Sequence, residues 1–120
     1  MGDWRKDQSK TVRRRIWGQT RGQNDGAWQD FNRRTKEFPV FSRLRFEKLG
    51  KEIHCWRELT ADEGYTYWTS CLRFVDDERG YWTVLYRLDE RRWRSTDIKK
   101  LPLGRAIPLV AEFYQSKMAV

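Results

Sequence analysis

Tyr81-Trp82-Thr83-Val84-Leu85-Tyr86-Arg87-Leu88 alternates more cleanly than the rest of this 120-residue chain. Trp82, Val84, Tyr86 and Leu88 form an apolar row, and Tyr81, Thr83, Leu85 and Arg87 form the other. Successive side chains of a strand point to opposite faces, so the spacing predicts a strand with one face on a core. Asp76-Asp77-Glu78-Arg79-Gly80 ahead of it reads as a turn, and Asp89-Glu90 after it as a tight reversal. Arg91 to Thr96 then predicts a partner strand, with Trp93 on one side and Arg92, Arg94 and Thr96 on the other.

Upstream the signals are mixed. Val40 to Leu49 alternates in part, with Arg43, Arg45 and Glu47 opposite Leu44, Phe46 and Lys48, and predicts a strand with one basic face that Gly50 ends. Lys51 to Leu59 places Ile53, Trp56 and Leu59 three apart and predicts a short helix. Tyr65 to Phe74 has the composition of a strand. Yet Trp68, Cys71, Leu72 and Val75 fall at i, i+3, i+4 and i+7, and Thr60 with Glu63 makes a capping-box pattern, so a helix is expected over about 62–75. Ala27 to Arg34 predicts another short helix with Trp28 and Phe31 on one face, stopped before Pro39. At the other end Pro102 and Gly104 mark a loop. Pro108 suits the first turn of a C-terminal helix bearing Leu109, Val110, Phe113 and Met118.

These elements assemble into an α+β domain over 26–120. A small antiparallel-rich sheet carries helices on one face and presents Arg45, Thr83, Arg87, Arg92 and Arg94 on the other. Residues 1–25 read as a flexible basic arm, since residues 1–36 carry a net charge of +6 out of a total of +8. Hydrophobic residues are only 38% of the chain, but 15% is aromatic, enough for one small core and not for a second domain. No apolar run approaches the roughly 18 residues of a membrane span. The start, MGDWRKDQSK, has no apolar stretch behind its charges and predicts no secretory signal. Two cysteines, Cys55 and Cys71, are too few for a disulfide framework or a zinc site and suit a reducing compartment, cytosol or nucleus.

Catalytic chemistry has little support. The one histidine, His54, reads as structural, the two thiols as buried, and the acidic pairs Asp62-Glu63 and Asp76-Asp77 as caps and turns. Neither a phosphate-cradling glycine loop nor metal-ligand spacing is present, so no enzyme, cofactor or metal is expected. Arginine beside threonine, tyrosine and tryptophan is instead the set that contacts phosphate and sugar. Duplex RNA is recognised by shape, phosphates and 2′-hydroxyls, which a twisted basic sheet can follow without reading sequence. Trp28 and Phe31 suit either stacking on terminal bases or docking their helix on the core.

The order of these elements resembles the RNA-silencing suppressors of plant tombusviruses, and especially the shorter suppressors of the related aureusviruses. Ala27-Trp28-Gln29-Asp30-Phe31 is similar to that family's Ser-Trp-Thr-Glu-Trp end-capping motif. Arg43 to Lys48 resembles its first basic strand, and Gly80 to Leu88 one of its later strands. The resemblance implies a homodimer whose sheet runs across both subunits and cradles a short interfering RNA duplex in the host cytoplasm or nucleus. It places Trp28 and Phe31 on the duplex ends, and Arg45, Lys48, Thr83, Arg87, Arg92, Arg94 and Thr96 on phosphates and 2′-hydroxyls. Phe31 in place of a second tryptophan, and a shorter linker after the cap helix, imply that longer duplexes are also accepted. Trp17-Gly18 matches the dipeptide that hooks Argonaute proteins, although one such pair also arises by chance or from local packing. A protein-interaction module acting through that dipeptide, and a binder of DNA or single strands, are the rival readings.

Overall fold

A computed structural model describes residues 26–77, 79–88 and 92–118. The expectations for the basic arm, for Trp17-Gly18 and for the Asp89-Glu90 reversal lie outside the described residues. The chain is α+β. Helix α1 (Gly26–Thr35) and a 3-10 turn (Pro39–Phe41) precede strands β1 (Arg45–Leu49), β2 (Glu52–Thr60), β3 (Thr66–Asp76), β4 (Trp82–Tyr86) and β5 (Arg94–Ser95), and helix α2 (Leu103–Lys117) closes the fold. The strands form one antiparallel meander in chain order.

Two expected helices are strands. β2 and β3 pair along their length, from Glu52↔Val75 to Thr60↔Thr66. The pairing register shifts between Cys55 and Trp56, whose partners are Leu72 and Ser70, so Cys71 is an extra residue in β3. A bulge of this kind interrupts the strict alternation of a strand. Ser70, Cys71 and Leu72 are consecutively buried, and the resulting spacing imitates a helical stripe. The Thr60/Glu63 pattern belongs to a hairpin turn rather than a cap. Ala61 N–H donates to Tyr65 O and Gly64 N–H to Ala61 O, each at 2.8 Å. Gly64 has φ +96°, a conformation that side chains rarely adopt. The element order that carried the family resemblance is altered accordingly, with strands where two helices were expected.

Both helices lie on one face of the sheet. Phe46, Ile53, Cys55, Leu72, Phe74, Trp82 and Val84 point toward them and join one core cluster. α1 contributes Trp28 and Phe31, whose rings stack with centroids 6.2 Å apart. Phe31 also meets Phe46 and Phe74 edge-on, each at 5.0 Å. α2 buries Leu103, Ala106, Ile107, Val110, Ala111 and Tyr114 at helical spacing, while Leu109 is exposed. α2 begins one turn earlier than expected, with Pro102 as its N-cap, so Pro108 lies inside the helix. Without an N–H, Pro108 cannot make the backbone bond to Gly104.

The duplex-end role of Trp28 and Phe31 is not supported by their placement. They are only 2% and 0% exposed, so neither ring offers a free face to a base. They dock α1 on the sheet. Replacing Phe31 with Ala should therefore cost about 3–5 kcal/mol, as large-to-small changes of buried aromatics do. Urea unfolding would measure it, and a loss under about 1 kcal/mol, ordinary for a surface change, would contradict the core role.

Candidate nucleic-acid interface

The sheet face away from the helices is set by register. Arg45 pairs with Trp56, His54 with Arg73, Arg73 with Leu85, and Leu85 with Ser95, so these residues share that face. Thr83 pairs with Val75 and joins them. No helix among the described residues packs on this side.

At its centre is a charged and aromatic cluster. Arg73 grips Glu52 through two bonds, Nε to Oε1 at 3.0 Å and Nη2 to Oε2 at 2.7 Å. His54 stands between Glu52 Oε1, 2.9 Å from Nε2, and Ser70 Oγ, 3.1 Å from Nδ1. The neutral tautomer that fits donates from Nε2 to the carboxylate and accepts from the serine hydroxyl at Nδ1. Trp93 covers this group. Its ring lies 4.5 Å from the Arg87 guanidinium and 5.1 Å from that of Arg73, both within cation–π range. Its edge meets His54 at 6.4 Å. Arg87 Nε also donates to Ser70 O at 2.7 Å, which fixes its stem to the bulge. Toward β1, the Arg45 guanidinium lies over the Trp68 ring, 5.4 Å from its centroid.

Serine, histidine and carboxylate in sequence have the order of a hydrolytic triad. Here Ser70 is 3% exposed, and its Oγ is not presented to a substrate. The cluster is a half-buried brace. Burial pushes the His54 pKa down from its ordinary 6.5, against the opposing pull of Glu52. The Arg73 hydrogen bond holds the Glu52 carboxyl below its ordinary 4.5, outweighing desolvation. Burial also pushes the Cys55 thiol well up and that of Cys71 to about 12, which leaves both as inert thiols. Among the described residues no group of three His, Cys, Asp or Glu side chains could hold a metal. No helix of the described residues is long and apolar enough to cross a membrane.

The residues expected to contact RNA are divided by this geometry. Arg45, Thr83 and Arg87 are on the helix-free face. Lys48 pairs with Ile53 and therefore belongs to the helix side, where its ammonium donates to Gly50 O. Arg94 pairs with Tyr86, whose ring packs on Phe113 of α2, so Arg94 too is on the helix side. Thr96 is buried, its hydroxyl donating to Val84 O at 2.7 Å and accepting from Ile98 N–H at 3.0 Å. Arg92 is exposed beside Trp93, outside any strand. The strand expected over Arg91 to Thr96 is only Arg94–Ser95 among the described residues, and it is Trp93 that faces the open side. Arg73, Trp68 and Trp93 complete the surface. The first two were concealed by the helical reading of 62–75, although the β-branched and aromatic run Thr66 to Thr69 pointed to a strand. Arg45, Arg73 and Arg87 share the face with Glu47, Glu52 and Glu58, so it is mixed in charge rather than uniformly basic.

Comparison with known proteins finds no matching family model, curated protein or solved structure.

The brace carries its own pH dependence. His54 has a folded pKa below its unfolded one, so its contribution is complete above about pH 6.5 and is lost as pH falls through the folded value. Glu52 is also depressed, and its contribution fades at lower pH, below about 4.5. Urea midpoints should fall from pH 7.5 to pH 5, and His54→Gln should flatten that slope. A slope unchanged in His54→Gln would show that His54 is not its source.

Proposed function

We propose that the chain binds double-stranded RNA without reading its sequence, and that it acts by sequestration as a non-enzymatic suppressor of RNA silencing. The observation that carries the reading is the helix-free sheet face, where Trp93 orders the Arg73 and Arg87 guanidinium groups in a chain of net charge +8. Arginines held in place lose less side-chain freedom on meeting a phosphate than free ones do. The wide, shallow minor groove of A-form RNA displays 2′-hydroxyls and phosphates, and a twisted sheet can lie along it. Thr83 offers a hydroxyl to the same surface.

Glu52 neutralises much of Arg73, so the electrostatic attraction falls mainly to the chain's net charge of +8, of which residues 1–36 carry +6. A homodimer that extends the sheet from one edge belongs to this reading, because one five-strand sheet spans only part of a duplex turn. Its edges are β1 and the two-residue β5. The suppressor role follows from the chemistry: a duplex held on a protein surface is withheld from the effector that would use it.

Gel-shift titration of the pure protein should show equal affinity for duplexes of equal length and scrambled sequence. Affinity should fall steeply with salt, and Arg45→Ala or Arg87→Ala should weaken binding several-fold and lower the log–log salt slope by about 1. Strong dependence on base order, or unchanged affinity in both variants, would contradict the proposal.

A further inference from the structure

At one end of the sheet β2 outruns its neighbour. The β1–β2 pairing starts at Arg45↔Trp56, whereas β2 stays paired with β3 as far as Thr60. Residues 57–60 thus have β3 on one side and, among the described residues, no strand on the other. The chain ahead of β1 turns away instead, as the Pro39–Phe41 turn, with Phe41 N–H on Phe38 O and Leu44 N–H on Phe41 O, each at 3.0 Å. The space between that turn, this edge of β2 and the C-terminal end of α2 is an open cavity of about 930 Å³. Pockets for small ligands run to about 300–1,000 Å³.

The lining is mixed in a particular way. Arg43, Arg45 and Arg57 border the cavity together with one carboxylate, Glu58. Trp68 and Tyr114 supply aromatic walls, and Leu59 and Met118 supply apolar ones. Arg57 is anchored, with Nη1 donating to Met118 O at 3.2 Å and Nη2 to Leu88 O at 2.9 Å, so its charge is held at the wall. Arg43 is exposed and makes no ion pair within the described residues. The Arg45 guanidinium over Trp68 makes a cation–aromatic platform. Burial raises the Tyr114 pKa, so its hydroxyl stays a neutral hydrogen-bonding group.

A platform for a planar ring beside an excess of guanidinium charge selects a planar ring that carries a phosphate. We propose that this cavity binds a nucleotide with a terminal 5′-phosphate, its base extending the Trp68–Arg45 stack and its phosphate drawn to Arg43. Bases stack on aromatic rings and on arginine planes alike. The inference rests on the duplex-binding reading, since it makes the occupant the end of a bound RNA, but free nucleotides test it independently.

The probes are AMP and adenosine, titrated against the full chain and followed by tryptophan fluorescence and calorimetry. AMP should bind at least about 10-fold more tightly than adenosine, a difference of about 1.4 kcal/mol. Arg43→Ala, at an exposed turn, should abolish that preference while leaving the circular dichroism spectrum unchanged. Trp68→Ala should weaken both ligands. Equal affinity for the two probes, no AMP binding at millimolar concentration, or an undiminished preference in Arg43→Ala would each overturn the inference. Gel shifts with 5′-phosphorylated and 5′-hydroxyl duplexes separate the two claims. Tight duplex binding that ignores the phosphate sinks the pocket alone, whereas AMP binding without duplex binding sinks the sequestration reading.

Discussion

The β2–β3 ladder, with its bulge at Cys71, is the constraint on which the other elements depend. It is the longest pairing in the sheet and its middle. One side of it supplies Ile53, Cys55, Leu72 and Phe74 to the core, and the other supplies Glu52, His54, Ser70 and Arg73 to the opposite face. A shift of one residue in this ladder would exchange the two sets, placing an ion pair in the core and phenylalanine in water. The bulge tightens the arrangement locally. It brings Ser70 beneath His54 and presents the Ser70 carbonyl to Arg87.

From that ladder the candidate surface follows by simple chemistry. Polar groups crowded on a sheet must satisfy one another, and Glu52 does so for both Arg73 and His54. Trp93 then closes over the group from the β4–β5 side, against two guanidinium planes. The result is a mixed-charge platform of arginine, glutamate and indole side chains, unlike the core of a stable protein–protein interface, which is depleted in charge. A surface of arginines, hydroxyls and indoles fits a phosphate–ribose backbone better. The end of the same sheet adds a cavity of similar chemistry, where β1 stops short of β2.

Much of the fold was legible in the sequence, and the errors have physical origins. Tyr81 to Leu88 alternates because β4 has one face on the core and meets no bulge, so period and structure agree. Ala27 to Arg34 forms the expected helix, although the burial of Trp28 and Phe31 follows from tertiary packing that no local pattern encodes. Residues 62–75 read as a helix because the Cys71 bulge breaks the two-residue period of β3, and the resulting spacing matches a helix by coincidence. Of the site, Arg45, Thr83 and Arg87 could be placed from alternation alone. Arg73 and Trp68 could not be placed while their segment was read as a helix. The face of Trp93 depended on how a two-residue strand pairs with β4, which alternation does not decide.

The central claim is that RNA meets the helix-free face of the sheet. Its most direct measurement is nuclear magnetic resonance of the arginine Nε–H and tryptophan indole N–H signals during titration with a short RNA duplex. The account predicts shifts at Arg45, Arg73, Arg87, Trp68 and Trp93, with the buried indoles of Trp28 and Trp82 unmoved. Shifts confined to α1 and α2, with the Trp93 cluster silent at saturating duplex, would contradict it.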